Sequence, residues 1–172
     1  MALAYICLGS NLGESPATLN AAMDRLETLS IQPSLRSSLW QSTPVDCPPG
    51  SPLFVNAVQA ITPAADETPE ELLRQLQAIE RDFGRQPKRV LNESRLLDLD
   101  LVAFGQETRS TPALTLPHPR AHLRRFVLAP LAEIAPDLVL PGQVQTVASL
   151  LAALHSSEQV SRLSSAGDER SH

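Results

Sequence analysis

Residues 95–105 read RLLDLDLVAFG, and the alternation of residue types in this stretch predicts a β-strand. Side chains two residues apart in a strand share one face of the sheet and lie about 6.6 Å apart along the chain. Asp98 and Asp100 are therefore predicted to lie together on one face. The leucines beside and between them point the other way, into a core. The stretch thus predicts a strand that is apolar on one face and acidic on the other.

The two neighbouring carboxylates predict a site for a divalent cation. Side by side they repel each other, and their removal from water adds to the cost. A divalent cation relieves both penalties, and Mg²⁺ prefers oxygen ligands on a rigid backbone together with phosphate oxygens. Two such ions, about 3.5–4 Å apart, can be bridged by a carboxylate pair. A solvent-facing strand edge would also explain two aspartates, but aspartate is a poor strand former.

Basic residues lie directly before the acidic pair. Arg85, Lys88, Arg89 and Arg95 fall in one short stretch that is otherwise polar. A nucleoside triphosphate needs a metal to bridge its phosphates and cationic side chains to neutralise the remaining oxygens. The combination of this stretch with the acidic strand therefore predicts a polyphosphate site.

The composition is that of one globular domain with negative net charge. The chain has 172 residues, 42% of them hydrophobic, and a formal net charge of −5 at pH 7. A general nucleic-acid binder would need a basic surface, so the composition argues against that class. No apolar stretch approaches the about 18 residues of a membrane span, and no signal-peptide pattern is present. We expect a cytoplasmic protein with a single domain over residues 1–155 and a polar, disordered tail over residues 156–172.

Hydrophobic periodicity predicts strands and helices that mix without strict alternation, which favours an α+β fold over a doubly wound parallel sheet. Thr68-Pro69-Glu70-Glu71 carries a capping box and a proline at the first helical position, so it predicts a helix start. Gly84 is predicted to end that helix. The strands are predicted over residues 2–8, 35–42, 53–61 and 95–104, with a short one near 107–109, and the helices over residues 15–29, 69–83, 121–132 and 147–154.

The glycine-rich turn Gly9-Ser10-Asn11-Leu12-Gly13 after the first strand matches neither a P-loop nor a dinucleotide fingerprint. A glycine-serine turn followed by paired aspartates is found in nucleotidyltransferases, which makes that class an alternative. In those enzymes the two pieces lie close in sequence, whereas here Ser10 and Asp98 are far apart.

Several stretches taken together, in their order and spacing, carry a resemblance over most of the chain, from about residue 4 to residue 142. The chain resembles the 6-hydroxymethyl-7,8-dihydropterin pyrophosphokinases of folate biosynthesis. The stretches are AYICLGSNLG at 4–13, STPVDCPPGSPLFVNAV at 42–58, IERDFGR at 79–85, RLLDLDLVAFG at 95–105, LPHPR at 116–120 and PLAEIAPDLVLPG at 130–142.

The resemblance implies a ferredoxin-like α+β fold in three layers, with an antiparallel-rich mixed sheet and helices on both faces. It also implies the reaction, the transfer of pyrophosphate from ATP to the pterin hydroxymethyl group with release of AMP. The implied partners are these two small molecules, with no nucleic acid and no membrane, and we expect a monomer.

The resemblance further implies roles for individual residues. Asp98 and Asp100 would bind two Mg²⁺ ions. Phe54 and Phe126 would sandwich the flat pterin ring, and Asn56 would bind its amide-like edge. The complete implied sets are Thr43, Pro44, Phe54, Asn56 and Phe126 for the pterin, Gln77, Glu80, Arg85, Arg95, His118 and Arg124 for ATP, and Arg85, Arg95, Asp98 and Asp100 for catalysis.

The sequence departs from the family pattern just before the acidic strand. The family commonly reads Trp-Gly-Pro-Arg-Thr-Leu-Asp, and this chain reads Asn92-Glu93-Ser94-Arg95-Leu96-Leu97-Asp98. Pro87 also stands where the family has a second loop arginine, and Pro119 where it has a tyrosine. These changes keep open the hypothesis of a degenerate paralogue that binds a pterin or nucleotide with little turnover.

Overall fold

The computed structural model describes residues 2–11, 15–42, 54–84, 96–156 and 159–163. The elements in these ranges form one main sheet, a two-stranded hairpin and two helical layers. The strands are β1 (Ala4–Ser10), β2 (Leu35–Arg36), β3 (Trp40–Ser42), β4 (Phe54–Ile61), β5 (Asp98–Phe104), β6 (Arg109–Ser110), β7 (Thr115–Leu116) and β8 (Val160–Arg162), and the helices are α1 (Ser15–Glu27), α2 (Pro69–Asp82), a 3₁₀-helix (Ala121–Leu123), α3 (Arg125–Ile134) and α4 (Val147–Ala153).

The main sheet has the strand order β5-β1-β4-β3-β8, and β2 pairs with β4 beside β3. Every pairing among the described strands is antiparallel. Helices α1 and α2 pack on what we call the first face of this sheet, and the 3₁₀-helix, α3 and α4 pack on the second face. The predicted three-layer α+β architecture is confirmed.

The first face is an apolar core. Ile6 and Leu8 of β1 are fully buried there against Leu72 and Leu76 of α2. Alternate residues along β1 point to this face, as the period of two requires. Tyr5 and the other intervening positions point to the second face, where α3 and α4 cover part of the strand surface.

Helix α2 begins where the sequence predicts. The Thr68 hydroxyl oxygen accepts a hydrogen bond from the Glu71 amide at 3.1 Å, and the Glu71 carboxylate accepts one from the Thr68 amide at 2.8 Å. This reciprocal capping box satisfies amides that the first turn leaves free. Gly84 follows the helix with φ of +91°, a left-handed conformation that favours glycine.

One extra residue, Val102, lies in β5 opposite the step from Tyr5 to Ile6. Such a bulge reverses which side chains face each side of the sheet beyond it. Phe104 consequently packs in the core of the first face, although counting by twos from Asp98 would place it on the second. The bulge lets β5 carry acidic residues on the second face and still bury Phe104 on the first.

Two of the predicted elements are divided in the structure. The strand predicted over residues 35–42 is split into β2 and β3, and the Ser37 amide between them still bonds the Val58 carbonyl at 2.9 Å. The helix predicted over residues 121–132 is a 3₁₀ turn followed by α3, which begins only at Arg125. Arg124 between them has extended backbone and separates the two helical segments.

The predicted disordered tail does not hold for residues 159–163. Val160–Arg162 pairs with β3 as β8, and the Leu163 amide bonds the Leu39 carbonyl at 2.7 Å. The guanidinium of Arg162 lies 5.6 Å from the centre of the Trp40 ring. The edge of β3 offers backbone N–H and C=O groups that can pair with any extended segment, polar or apolar. The polar composition of this segment was therefore not a sufficient reason to predict disorder. The domain limits of 1–155 stay a prediction.

None of the helices in the described ranges is long and apolar enough to cross a membrane.

Candidate functional site

Two predicted site residues, Asn56 and Asp98, and the glycine between them form a row across the three central strands. Asn56 of β4 pairs with Gly9 of β1, and Gly9 pairs in turn with Asp98 of β5. All three positions belong to the second face. Neighbouring strands lie about 4.8 Å apart, so the backbones of Asn56 and Asp98 are separated by roughly 10 Å. The row places a buried amide and a carboxylate at its two ends with no side chain between them.

Gly9 is required by close packing in this row. A Cβ atom at position 9 would lie 2.9 Å from Nδ2 of Asn56, which is closer than real Cβ contacts allow. The Asn56 side chain thus lies directly against the backbone of β1. Sequence reasoning interpreted Gly9 only as part of a turn, because the need for an absent side chain arises from the neighbouring strand.

Asn56 is held on its other side by Ser42 of β3. The Ser42 hydroxyl donates to Oδ1 of Asn56 at 3.3 Å, and both residues are buried. A buried amide requires partners for its polar atoms, and Ser42 supplies one of them. Sequence reasoning did not single out Ser42, because nothing in a one-dimensional pattern distinguishes this hydroxyl from those of its serine neighbours.

Two aromatic residues lie on the same face of the sheet as the row. Phe54 is the first residue of β4, two positions before Asn56, so both point to the second face. Phe126 lies in the first turn of α3, and the guanidinium carbon of Arg124 is 5.4 Å from the centre of its ring. Both phenylalanines are half-buried, so each retains surface that a ligand can contact.

The acidic strand has the predicted alternation. Leu97, Leu99 and Leu101 are 2%, 6% and 4% exposed. Asp98 is half-buried and Asp100 is exposed. Among the described residues there is no group of three or more His, Cys, Asp or Glu that could hold a metal ion. A two-carboxylate set of this kind fits Mg²⁺, which usually takes one or two carboxylates and completes its coordination with phosphate oxygens and water.

His118 and Arg124 lie beside the acidic strand. The His118 amide donates to the Val102 carbonyl at 2.8 Å, which fixes this residue against β5. Burial lowers the pKa of His118, the negative charge of Asp100 opposes that change, and the positive charges of Arg124 and Arg120 reinforce it. Acidic and basic side chains therefore act on one another electrostatically at this end of the second face.

Cys7 lies under the acidic end of the second face. It pairs with Asp100 across β1 and β5 and is buried. Burial and the negative charge of Asp100 raise the pKa of its thiol far above the ordinary range. The thiol is thus protonated at physiological pH and acts as a small core residue rather than as a nucleophile or metal ligand.

Glu80 and Gln77 occupy one side of α2, near the outer edge of β5. Glu80 is buried, and its Oε2 accepts a hydrogen bond from the Leu99 amide at 2.7 Å. That amide lies between the two aspartates, on the edge of β5 that pairs with none of the described strands. Glu80 thus holds the backbone on which both carboxylates are mounted. Gln77 is exposed.

Four predicted site residues lie outside the described residues: Thr43, Pro44, Arg85 and Arg95. The stretch that departs from the family pattern before the acidic strand also lies outside them.

A comparison with protein families identifies the chain. Residues 5–136 match the family model described as 7,8-dihydro-6-hydroxymethylpterin-pyrophosphokinase (HPPK). The match runs from β1 to just past the end of α3 and includes the row of Asn56, Gly9 and Asp98. The chain belongs to the HPPK family.

Individual relatives agree with this assignment. The 2-amino-4-hydroxy-6-hydroxymethyldihydropteridine pyrophosphokinase of Haemophilus influenzae is 43% identical over 143 residues, which are 83% of this chain and 87% of the relative. The enzyme of the same name from Pseudomonas aeruginosa is 42% identical over 141 residues, covering 80% of this chain and 83% of the relative. The prediction of an HPPK enzyme is confirmed.

Solved HPPK structures share the fold. Plasmodium falciparum HPPK-DHPS, in a crystal structure with pterin and p-hydrobenzoate, matches 88% of this chain with a TM-score of 0.66 at 12% identity. The wild-type protein with pteroate gives a TM-score of 0.68 at 12% identity. This chain spans only 44% and 42% of those two longer proteins, and at such identity the likeness shows the fold alone. The predicted fold class is thereby confirmed.

Proposed function

We propose that this chain transfers pyrophosphate from ATP to 6-hydroxymethyl-7,8-dihydropterin and releases AMP, with Asp98 and Asp100 as Mg²⁺ ligands. The reaction is the one for which the HPPK family is named, and it belongs to folate biosynthesis. The single observation that carries the residue assignment is the row from Asn56 across Gly9 to Asp98. It supports a pterin site and a metal site whose backbones are roughly 10 Å apart on one sheet.

The pterin site is supported by what surrounds Asn56. Its amide offers a donor and an acceptor side by side, which complement the N–H and C=O of a lactam edge. The half-buried rings of Phe54 and Phe126 offer flat apolar surfaces for the two faces of a bicyclic heterocycle. Gly9 leaves room for the ring substituent to extend toward β5. Thr43 and Pro44 remain predicted members of this site.

The metal site is supported by the rigidity of its ligands. Asp98 and Asp100 project from a strand whose backbone is bonded to β1 on one edge and to Glu80 on the other. Asp98 and Asp100 would hold Mg²⁺, which would supply positive charge against the charge that develops on the transferred group. Our proposal includes two ions, because two carboxylates on one face suit a pair.

The phosphates of ATP would lie over the acidic strand and beside Arg124 and His118. The guanidinium of Arg124 is suited to phosphate oxygens, since its planar donors form charge-assisted bonds. The lowered pKa of His118 in the described protein favours a neutral imidazole, which can donate one hydrogen bond to an oxygen. Arg85 and Arg95 are proposed to complete the cationic set, and Gln77 and Glu80 to line the ATP side.

The reaction needs positioning more than a strong base. The pterin hydroxymethyl oxygen attacks the β-phosphorus, the bond from that phosphorus to the α–β bridging oxygen breaks, and AMP leaves with that oxygen. The hydroxyl proton is released to solvent. Catalysis of this kind rests on alignment and electrostatic stabilisation. The sheet supplies the alignment, because Asn56 and the two aspartates are parts of one hydrogen-bonded ladder.

The alternatives receive no support from the comparisons. The Haemophilus influenzae and Pseudomonas aeruginosa relatives are named as pyrophosphokinases and not as nucleotidyltransferases. A monomeric state, a cytoplasmic location and the absence of nucleic-acid and membrane partners remain proposals from the sequence.

The experiment follows the β-phosphate of ATP. Purified chain is incubated with Mg²⁺, hydroxymethyl dihydropterin and ATP labelled at the β-phosphorus, and the products are separated. We expect the label in a pterin diphosphate and one AMP for each product molecule, with no product when EDTA removes Mg²⁺. Label in free pyrophosphate would instead indicate nucleotidyl transfer, and pterin binding without AMP would indicate a binding module.

A further inference from the structure

Ser42 contacts Asn56, which is proposed to bind the pterin, but Ser42 is not itself among the proposed pterin-binding residues. Its hydroxyl donates to Oδ1 of Asn56 at 3.3 Å, and the two residues are 5% exposed each. The hydroxyl reaches Asn56 diagonally across the ladder, since Ser42 itself pairs with Phe54. The contact therefore lies on the second face of the sheet and is buried from solvent.

The opposite side of the amide has a different environment. Nδ2 of Asn56 lies toward the backbone of Gly9, and the strand beyond Gly9 carries Asp98 and Asp100 on the same face. An amide dipole is stabilised when its NH₂ end points to negative charge. A serine hydroxyl by itself can either donate or accept. In the metal-free protein the carboxylates on the Nδ2 side and the hydroxyl on the Oδ1 side together favour a single orientation of the amide. When Mg²⁺ neutralises the carboxylates, the hydrogen bond from Ser42 to Oδ1 is the contact that maintains this orientation.

The orientation matters because of the chemistry of the ligand. A 4-oxo pterin presents an N–H donor beside a C=O acceptor, and a 4-amino analogue presents the reverse order. An amide held in one orientation matches one of these patterns and is mismatched with the other. An amide that is free to turn over can match both.

We propose that Ser42 is a positioning residue that fixes the Asn56 amide and thereby sets the preference of the site for a 4-oxo pterin edge. This inference rests on the proposed function and adds a specificity determinant to it. Ser42 acts through Asn56 and is not proposed to touch the substrate.

The test compares Ser42→Ala with Ser42→Thr, which retains the hydroxyl and suits a strand position. Loss of one buried hydrogen bond is expected to raise the pterin KM about tenfold in Ser42→Ala, with the KM for ATP unchanged. Ser42→Thr should restore most of the pterin affinity. Ser161→Ala is the matched control, because the Ser161 hydroxyl lies in the same sheet and contacts Gln41 instead.

A second measurement tests the orientation directly. Binding of 6-hydroxymethylpterin and of 2,4-diamino-6-hydroxymethylpteridine is measured by calorimetry in the presence of a non-hydrolysable ATP analogue and Mg²⁺. Wild-type protein should prefer the 4-oxo ligand, and Ser42→Ala should lose most of that preference.

The outcomes separate this inference from the proposed function. AMP release by the wild-type protein tests the function and does not depend on Ser42. An unchanged pterin KM, an unchanged preference between the two ligands, or a threonine variant no better than alanine would overturn the positioning role while the function stands. A parallel rise in both KM values would also overturn it, because it would indicate a general loss of structure.

Discussion

The two faces of the central sheet use buried polar residues for different purposes. On the first face, Gln59 is fully buried and donates from Nε2 to the Met23 carbonyl at 3.1 Å and to the Ser34 hydroxyl at 3.0 Å. On the second face, Asn56 is held by Ser42 at one polar atom and packed against Gly9 at the other. The first amide ties the sheet to α1, and the second lies in the row that leads to the acidic strand.

The difference lies in what covers each face. Two amphipathic helices seal the first face, so the Gln59 amide nitrogen takes both of its partners from within the protein. The shorter α3 and α4 cover the second face only in part, and Asp100, Phe54 and Phe126 keep exposed surface there. Changes on the first face should therefore alter the free energy of unfolding, and changes in the uncovered part of the second face, at the row and the acidic pair, should alter substrate kinetics.

The largest expected effect is on the second face, at the acidic pair. Asp98→Asn and Asp100→Asn keep the size of the side chain and remove the charge that would bind Mg²⁺. We expect turnover to fall by about a thousandfold or more, since metal and electrostatic stabilisation carry phosphoryl transfer. AMP release at saturating ATP and Mg²⁺ is the measurement, with thermal unfolding followed alongside.

Asp137→Asn is the control for this pair, because Asp137 is an exposed aspartate in the turn after α3. It should leave turnover unchanged. Retention of ordinary turnover by either Asp98→Asn or Asp100→Asn would refute the metal role.

The next largest effect is on the first face. Leu76→Ala removes a side chain that is fully buried between α2 and the sheet. Such truncations cost about 2–5 kcal/mol of the free energy of unfolding, because lost transfer energy and a cavity add together. Denaturant unfolding measures the loss, and the pterin and ATP KM values of the folded variant should match wild type.

Leu35→Ala is the matched control, since Leu35 is 50% exposed. It should change the free energy of unfolding by less than about 0.5 kcal/mol. A large rise in the pterin KM of Leu76→Ala would show that the two faces are not independent.

A smaller effect is expected at the row itself. Gly9→Ala adds a Cβ atom where only 2.9 Å separates it from Nδ2 of Asn56, so the amide must move. Loss of a well-placed hydrogen bond to the pterin should raise its KM about tenfold. Steady-state kinetics with each substrate varied in turn measures the change, and the KM for ATP should change much less.

Cys7→Ala serves as the control, because Cys7 is the next residue of β1 on the same face. It should lower stability slightly without altering the pterin KM. Equal KM changes for both substrates in Gly9→Ala would contradict the assignment of Asn56 to the pterin.

The smallest effect concerns the end of α3, where Glu133 ties the helix to β3. Its carboxylate accepts hydrogen bonds from the Ser38 amide at 2.9 Å, the Ser38 hydroxyl at 2.6 Å and the Trp40 indole at 3.0 Å. Burial by itself would raise the pKa of Glu133, but these hydrogen bonds outweigh it and lower the pKa below the ordinary value of 4.5. The charged form is thus favoured in the folded state.

A carboxyl group whose pKa is lower in the folded state stabilises the protein at every pH above its pKa in the unfolded state. That stability is lost as the pH falls through the pKa of the folded state. Glu133→Gln should therefore reduce the free energy of unfolding near pH 7 by less than about 1 kcal/mol, since the site is mostly solvated. The difference from wild type should shrink below about pH 4.5. Unfolding curves at several pH values measure it, and a difference that grows with acidity would contradict the assignment.

Local signals in the sequence predicted much of the fold. The capping box at Thr68 and the glycine at 84 bounded α2, because a helix end must satisfy its own amides and carbonyls within a few residues. The alternation at 97–101 placed the leucines and aspartates on opposite faces, since the period of a strand is two. The split of the second strand and the late start of α3 were missed, because both depend on partners distant in sequence.

The residues of the candidate site also fall into those that the sequence predicted and those that it did not. Residues with distinctive chemistry, such as Asp98, Asp100 and Asn56, were predicted from pattern and resemblance. Ser42 and Gly9 were not, since a serine hydroxyl and a missing side chain acquire a role only from what lies beside them. The contact of buried Glu80 with the edge of β5 was also not predicted, because it depends on how α2 packs against the sheet.

The order of amino acids alone determined which segments alternate, where helices begin and which family the chain belongs to, because these depend on neighbours along the chain. Only the tertiary structure decided that an amide, a bare backbone position and a carboxylate stand in one line across three strands. Strand register is fixed by the burial of one whole face, and this is a property of the assembled sheet and of no single segment.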